Sequence, residues 1–237
     1  MTEPVYLNEG ARPAVRVERR YDHPVERVWQ AVTAPESLAQ WFPSRVEIEL
    51  RAGGEVRYDM DGHETGEVLA AEPPHRLVFT WGEDQLEFTL RADGDGTVFV
   101  LTHAFDDRGG AASFASGWEG CLGVLGLLLA DRPLPEPDRR EARHEELVER
   151  FGIAEPVVIR GDAGWSVRIE RQLVVPAATA WERLRALPLD VPNVLISLGD
   201  GTGHGARLVV AVNGADAAQL PPATAWVRDA VRRAAAG

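Results

Sequence analysis

This chain of 237 residues has six histidines and one cysteine, side chains that can bind a metal or act as a nucleophile. The histidines stand in no metal-motif spacing; they are His23, His63, His75, His103, His144 and His204. Around one predicted turn lie the polar residues Asp59, Asp61, His63 and Glu64, a pattern more typical of a solvated hairpin than of a ligand set. The sequence therefore predicts no metal site.

The sequence also gives little indication of a nucleophile or of a phosphate-binding loop. Cys121 is the single cysteine, so it can form neither an internal disulfide nor a cysteine-based zinc site, and its place on an apolar helix face indicates an inert core residue. Residues 199–205 are glycine-rich but lack the lysine of a phosphate-binding loop. No set of residues resembles a catalytic triad. We therefore expect no catalytic residue and no cofactor, which favours a binding protein over an enzyme.

Alternating apolar side chains form the strongest candidate for a binding surface. In successive predicted strands between residues 46 and 92, the apolar side chains point to one face of a sheet and the charged ones to the other. Tyr58, Trp81 and either Thr102 or His103 could supply the few polar groups that orient a small ligand. The alternative, that these side chains only fill a core, stays open. The predicted ligand-binding residues are Trp41, Phe42, Tyr58, Met60, Phe79, Trp81, Phe88, His103, Trp118, Cys121 and Leu122.

The elements that position these side chains follow from the hydrophobic periodicity. Residues 15–21 alternate as a strand, Pro24 opens a helix with one apolar stripe, and a second short helix runs from Pro35 to near Trp41. Six strands and one long helix follow, at residues 46–51, 55–60, 64–71, 76–81, 85–92, 97–105 and 110–130. This order predicts an α+β helix-grip fold, in which a curved antiparallel sheet wraps around a long C-terminal helix.

An internal repeat follows this domain. Shifting the chain by 152 positions matches residues 3–34 with residues 155–186 at 11 of 32 positions, including a tryptophan and two prolines. The second copy lacks about four strands, so a truncated helix-grip-like repeat is predicted, with too little sheet to enclose a cavity. The apolar stripe of its first helix, around Trp181 and Leu184, would then not be fully covered by a sheet. The expected role of residues 152–237 is packing on the first domain or forming a homodimer interface.

These signals divide the chain into three segments. Residues 1–132 are predicted to form the complete helix-grip domain, residues 133–151 a proline-rich linker and a charged helix, and residues 152–237 the degenerate repeat. The charged helix is predicted for residues 138–151. We expect its charges to form a solvated face, because runs of mixed charge usually face water.

Charge and composition indicate which classes of partner the protein is expected to bind. The net charge is −12, and residues 1–130 carry 22 acidic side chains against 11 arginines. Because nucleic acids and anionic membranes attract basic surfaces, we expect neither as a partner. The uncharged run at residues 120–130 is about half as long as a membrane-spanning helix. With no visible secretion signal and a single cysteine, the sequence indicates a cytoplasmic protein.

Several different short motifs are distributed over residues 14–130. They include Val17-Glu18-Arg19, Pro24-Val25-Glu26-Arg27-Val28-Trp29, Trp41-Phe42, Gly53-Gly54, Pro73-Pro74-His75-Arg76-Leu77, Thr80-Trp81, Thr102-His103 and Gly117-Trp118. Together they resemble the AHSA1-like (activator of Hsp90 ATPase homologue-like) members of the START-like, or SRPBCC, superfamily. The resemblance implies a carrier or sensor that holds a small hydrophobic molecule between sheet and closing helix. Two alternatives stay open: a polyketide aromatase/cyclase-like enzyme with Tyr58 and His103 as a polar pair in the same pocket, and an Hsp90-type chaperone cofactor.

The predicted closing helix has a glycine at every third position, at Gly117, Gly120, Gly123 and Gly126. Each glycine lowers helix stability by about 1 kcal/mol relative to alanine. Two interpretations stay open. The helix is either a weak gate that opens to admit cargo, or a smooth ridge that lets it approach its neighbours closely.

Overall fold

The computed structural model describes residues 2–10, 12–59, 65–134, 141–201 and 204–236. The chain divides into two units by its internal contacts. The first unit comprises Met1–Asp106 and Phe114–Arg139, and the second comprises Asp107–Ser113 and Arg140–Gly237. This division differs from the predicted one because the charged helix belongs to the second unit and not to a linker.

Eight antiparallel strands form the sheet of the first unit: β1 (Val5–Leu7), β2 (Ala14–Tyr21), β3 (Arg45–Ile48), β4 (Glu55–Asp59), β5 (Thr65–Glu72), β6 (Arg76–Trp81), β7 (Asp84–Asp93) and β8 (Gly96–Ala104). They pair in the order β1-β2-β8-β7-β6-β5-β4-β3. Helices α1 (Val25–Thr33) and α2 (Pro35–Trp41) connect β2 to β3, and α3 (Ala111–Leu129) follows β8. The α+β helix-grip prediction is confirmed. The short edge strand β1 was not predicted.

Local sequence explains most of these boundaries. Pro24 precedes α1, and the buried residues Val28, Trp29 and Val32 are members of its predicted apolar stripe. The tight turn between β7 and β8 contains Gly94 at a φ of +62°, a left-handed conformation that glycine adopts without steric cost. The turn predicted at residues 61–62 lies outside the described residues.

Helix α3 packs on the inner face of the curled sheet. Its buried side chains include Trp118, Leu122, Leu125 and Leu129. Tyr21 of β2 donates a hydrogen bond from its hydroxyl to the backbone carbonyl of Leu122, at 2.9 Å. By length and composition alone, Arg108–Leu129 is apolar enough to cross a membrane, and core helices of globular domains pass the same test. Its buried side is explained by packing on the sheet.

The second unit has its own sheet and core. Strands β9 (Val157–Gly161), β10 (Gly164–Leu173), β11 (Val194–Asp200) and β12 (Ala206–Gly214) pair antiparallel in the order β11-β12-β10-β9. Helix α4 (Glu141–Arg150) precedes them, α5 (Ala177–Leu184) follows β10, and α6 (Leu220–Ala235) closes the chain. The core includes Trp165, Val167, Ile169, Leu173, Leu184, Leu208, Val210, Val212, Trp226, Val227 and Val231.

The shift of 152 residues relates elements as well as single residues. It carries β1, β2 and α1 onto β9, the last eight residues of β10, and α5. The expectation that the α5 stripe lacks cover is wrong for Leu184, which is buried, whereas Trp181 is 37% exposed. In α4, Leu147 and Val148 are buried anchors, as predicted. The predicted start of that helix lies outside the described residues.

Candidate ligand-binding site

An aromatic cluster lies between the first sheet and α3. Its rings come from the end of α2, from β4, β6 and β7, and from α3; they belong to Trp41, Phe42, Tyr58, Phe79, Trp81, Phe88 and Trp118. All are buried except Trp81, which is half-buried. All seven are predicted ligand-binding residues, so the structure brings most of the predicted site together.

Strand register decides which side chain of β8 joins this cluster. Leu86 on the inner face of β7 pairs with His103, and Glu87 on the outer face pairs with Thr102. Because directly paired residues share a face of the sheet, His103 points inward and Thr102 outward. The choice between these two residues, which the sequence left open, is therefore settled in favour of His103.

Phe42 is the centre of the cluster. Its ring centroid lies 5.4 Å from that of Trp81, 5.5 Å from that of Trp118 and 5.7 Å from that of Trp41. Tyr58 stacks on the other side of Trp81, with centroids 5.8 Å apart and ring planes inclined by only 13°. The rings therefore form one continuous apolar surface of mutually tilted and stacked faces.

Most polar atoms in the cluster are paired within the protein. The Trp41 indole donates to the backbone carbonyl of Ala31 at 3.0 Å, and the Tyr58 hydroxyl donates to that of Thr80 at 2.6 Å. Burying a polar group without a partner costs free energy, which explains why these two polar groups are hydrogen-bonded. Trp81 differs, because its indole nitrogen has no hydrogen bond among the described residues.

Trp118 and His103 begin a hydrogen-bonded chain that leads to the edge of the domain. The Trp118 indole N–H donates to His103 Nδ1 at 3.1 Å. Because an indole nitrogen can only donate, Nδ1 accepts, and the ring hydrogen sits on Nε2, which faces Asp84 Oδ2 at 2.9 Å. Arg12 lies 3.7 Å from the same carboxylate and also donates to Asp106. The chain fixes both the tautomer and the orientation of His103.

Two of the remaining predicted residues lie on α3. Cys121 is half-buried on α3, and Leu122 is buried there with its carbonyl engaged by Tyr21. Burial also raises the pKa of the Tyr21 hydroxyl, so it stays protonated and keeps donating. Met60 lies outside the described residues.

A buried ion pair beside the cluster was missed in the sequence. Arg19 on the inner face of β2 donates to Glu119 of α3 at 3.3 Å, and both side chains are only 7% exposed. Arg19 also donates to the backbone carbonyls of Thr2 and Glu18. Arg19 therefore links the segment before β1, strand β2 and helix α3. Losing either partner of the ion pair would leave a buried charge.

The internal repeat contains a sequence pattern that could have predicted this ion pair. Arg19 matches Arg171 of β10, which is also buried and is paired with Glu145 of α4. Glu145 accepts the hydrogen bond, so the expectation that the charges of α4 form only a solvated face is wrong at this residue. An arginine identical in both copies, within an alternating strand and on its apolar face, is the pattern that marks a buried guanidinium.

A surface cleft of about 580 Å³ lies beside the cluster, between α2 and the strands β3 and β4. Its lining residues are Pro35, Glu36, Ala39, Arg45, Val46, Glu47, Arg57, Tyr58 and Asp59. Tyr58 belongs both to the cleft and to the ring cluster. Within the part of the chain that the structure describes, no three His, Cys, Asp or Glu side chains are grouped to hold a metal ion.

Comparison with known proteins relates this segment to a family. Residues 22–130 match the family model described as activator of Hsp90 ATPase homolog 1-like protein. This segment, here termed the AHSA1-like domain, is similar to that family. No curated protein matches the chain. The AHSA1-like domain contains the whole ring cluster, His103 and the ion pair partner Glu119.

Solved structures with a similar fold are also found. The solution structure of CalU16 from Micromonospora echinospora is 29% identical, with a TM-score of 0.50, over 63% of this chain and 90% of that chain. A conserved protein of unknown function, EF2215 from Enterococcus faecalis, is 21% identical with a TM-score of 0.57, over 63% of this chain and 90% of its own. At that identity the second match shows the fold alone.

Proposed function

We propose that the AHSA1-like domain binds a small hydrophobic molecule between its sheet and α3, in the manner of a carrier or sensor. The seven-ring cluster carries this proposal, because aromatic side chains offer large apolar contact areas to a ligand. Proteins with this fold commonly bind hydrophobic ligands. The acidic charge of the domain agrees with a neutral cargo better than with an anionic one.

Trp81 is the residue that we assign to the polar part of the ligand. It stands at the end of β6, half-buried, and its indole N–H has no protein acceptor among the described residues. The other indoles of the cluster already donate to Ala31 and His103. A ligand with one hydrogen-bond acceptor beside its apolar part would therefore complete the site.

The test is calorimetric titration of the whole protein with 2-naphthol, a planar probe with one oxygen. Trp81→Ala is expected to weaken binding by about 1–3 kcal/mol, the scale of a lost aromatic contact. Trp81→Phe retains the ring and loses only the donor, so its effect is expected to be smaller. Trp181→Ala, at an exposed position of α5, is the matched control. Equal affinity of Trp81→Ala and the unaltered protein would contradict the proposal.

The cyclase-like alternative depends on Tyr58 and His103 acting together as a polar pair. Both face the interior, but the Tyr58 hydroxyl donates to Thr80 and both ring nitrogens of His103 are engaged. Neither group therefore directs a free hydrogen towards a ligand in this arrangement. Binding is the function that the geometry supports best.

A further inference from the structure

The position of Phe42 sets it apart from the other rings of the cluster. It follows the last residue of α2, with extended backbone angles of φ −75° and ψ 150°, on the connection to β3. Its backbone N–H is held by the carbonyl of Leu38 at 2.8 Å. The ring is only 6% exposed and touches the rings of Trp41, Phe79, Trp81 and Trp118.

Five of the other six rings are anchored more firmly than Phe42, the exception being the half-buried Trp81. Hydrogen bonds hold Trp41, Tyr58 and Trp118, while Phe79 and Phe88 are fully buried within strands. The Phe42 side chain is held by packing alone. Rotation about its side-chain bonds therefore moves the ring without breaking a backbone or side-chain hydrogen bond.

A series of ring contacts connects Phe42 to the surface cleft. Tyr58 lines the cleft between α2 and the β3–β4 hairpin, Tyr58 stacks on Trp81, and Trp81 touches Phe42. Trp81 is half-buried, so this series includes a ring that is partly exposed. Phe42 is therefore two ring contacts away from a residue that lines the cleft.

We propose that Phe42 is a plug: its ring occupies the place of a planar aromatic group of the ligand and rotates out when the ligand binds. This inference rests on the proposed ligand-binding function and names the ligand class, a flat aromatic molecule. A protein that must first vacate its site binds with an affinity reduced by the fraction of open molecules. Removing the plug therefore strengthens binding, the reverse of what removing a contact residue does.

The experiment compares Phe42→Ala with Phe88→Ala in the full chain, using 2-naphthol as the probe in calorimetry and stopped-flow fluorescence. Both variants delete the same ring from the same cluster, but Phe88 lies deep in β7. Phe42→Ala is expected to bind about ten-fold more tightly than the unaltered protein, with faster association. Phe88→Ala is expected to show no such gain.

Three results would overturn the plug. Equal gains in Phe42→Ala and Phe88→Ala would show simple cavity creation, since emptied apolar cavities bind small aromatics. Weaker binding by Phe42→Ala would make Phe42 a contact residue and leave the proposed function intact. No binding by the unaltered protein or by Phe42→Ala would overturn both proposals. Should Phe42→Ala fail to fold, Phe42→Leu, which retains apolar packing but not the flat ring, is expected to show a smaller gain in the same direction.

Discussion

At the scale of single residues, the chain from Trp118 through His103 to Asp84 shows how a polar group is kept inside an aromatic cluster. His103 is only 2% exposed, yet both of its ring nitrogens have partners. A satisfied buried network costs little, while a half-satisfied one is expensive. His103 is therefore best understood as an orienting residue for Trp118, and not as a free acid or base.

Trp118→Phe tests this network. The variant retains a ring for packing but removes the indole donor, which leaves Nδ1 of His103 buried without its partner. We expect a loss of about 1–3 kcal/mol in the free energy of unfolding, measured by urea denaturation. Trp181→Phe, at an exposed position of α5, serves as the control and should change stability by much less. Similar losses in the two variants would mean that the Trp118 hydrogen bond adds nothing.

At the scale of elements, the glycines of α3 are not equivalent. A Cβ atom at Gly126 would lie 3.3 Å from Cε1 of Tyr21, so this glycine lets the helix approach β2 closely. At Gly117 and Gly123 a Cβ atom would meet nothing within 4 Å. The ridge interpretation thus applies at Gly126, and the gate stays a prediction for hydrogen exchange to test, by early exchange in the free protein and protection with ligand.

Two alanine substitutions separate these roles. Gly123→Ala is expected to raise the free energy of unfolding by about 0.5–1 kcal/mol, because alanine favours the helix and has space there. Gly126→Ala places a methyl group against the Tyr21 ring and is expected to gain less or to destabilise. Thermal or urea unfolding measures both. An equal gain at the two positions would argue against close packing at Gly126.

Helix α4 introduces titratable groups into the second unit. Burial raises the pKa of Glu145, but its hydrogen bond with His144 and the charge of Arg171 outweigh burial, so its pKa lies below the ordinary value of 4.5. Burial lowers the pKa of His204 below 6.5, the nearby His144 lowers it further, and Glu141 opposes the shift. Both shifts favour the form of each group that carries fewer protons.

The sign of the pH dependence follows from these shifts. At a given pH the unfolded chain binds more protons at both groups than the folded chain, so stability falls as pH falls. The loss begins below about pH 6.5 for His204 and below about pH 4.5 for Glu145. Urea unfolding between about pH 7 and about pH 2 should show both losses. In a plot of the free energy of unfolding against pH, His204→Gln is expected to reduce the slope near pH 6 and Glu145→Gln the slope below about pH 4.5. Unchanged slopes in both variants would show that these two groups do not cause the pH dependence.

At the scale of the whole molecule, the chain consists of two units with separate cores. The second unit buries its own apolar side chains, including Trp165, Leu208 and Trp226, against its four strands. Its α4 adds two buried anchors and the Arg171–Glu145 pair. The repeat is therefore shortened without losing a core, which the sequence pattern did not predict.

Fragments test the independence of the units. Residues 1–135 should unfold cooperatively and retain 2-naphthol binding, because they contain the whole sheet, α3 and the ring cluster. Residues 140–237 should be folded, and more stable than residues 152–237, which lack α4 and its Arg171–Glu145 pair. Circular dichroism melting and NMR dispersion measure both. Equal stability of the two second-unit fragments would show that α4 contributes nothing to that unit.

The sequence by itself determined the element order of the first unit, the inward set of aromatic side chains and the duplication, because strand alternation, helix periodicity and turn residues are local signals. It did not reveal β1 or β9, which are short edge strands whose pairing is defined only by a partner strand. Tertiary structure alone decided that His103 and not Thr102 faces inward, since β8 is apolar on both faces and only its register with β7 distinguishes them. It also decided that Arg19 and Arg171 are buried, because a charge inside a core is stable only when a distant residue, Glu119 or Glu145, is brought beside it.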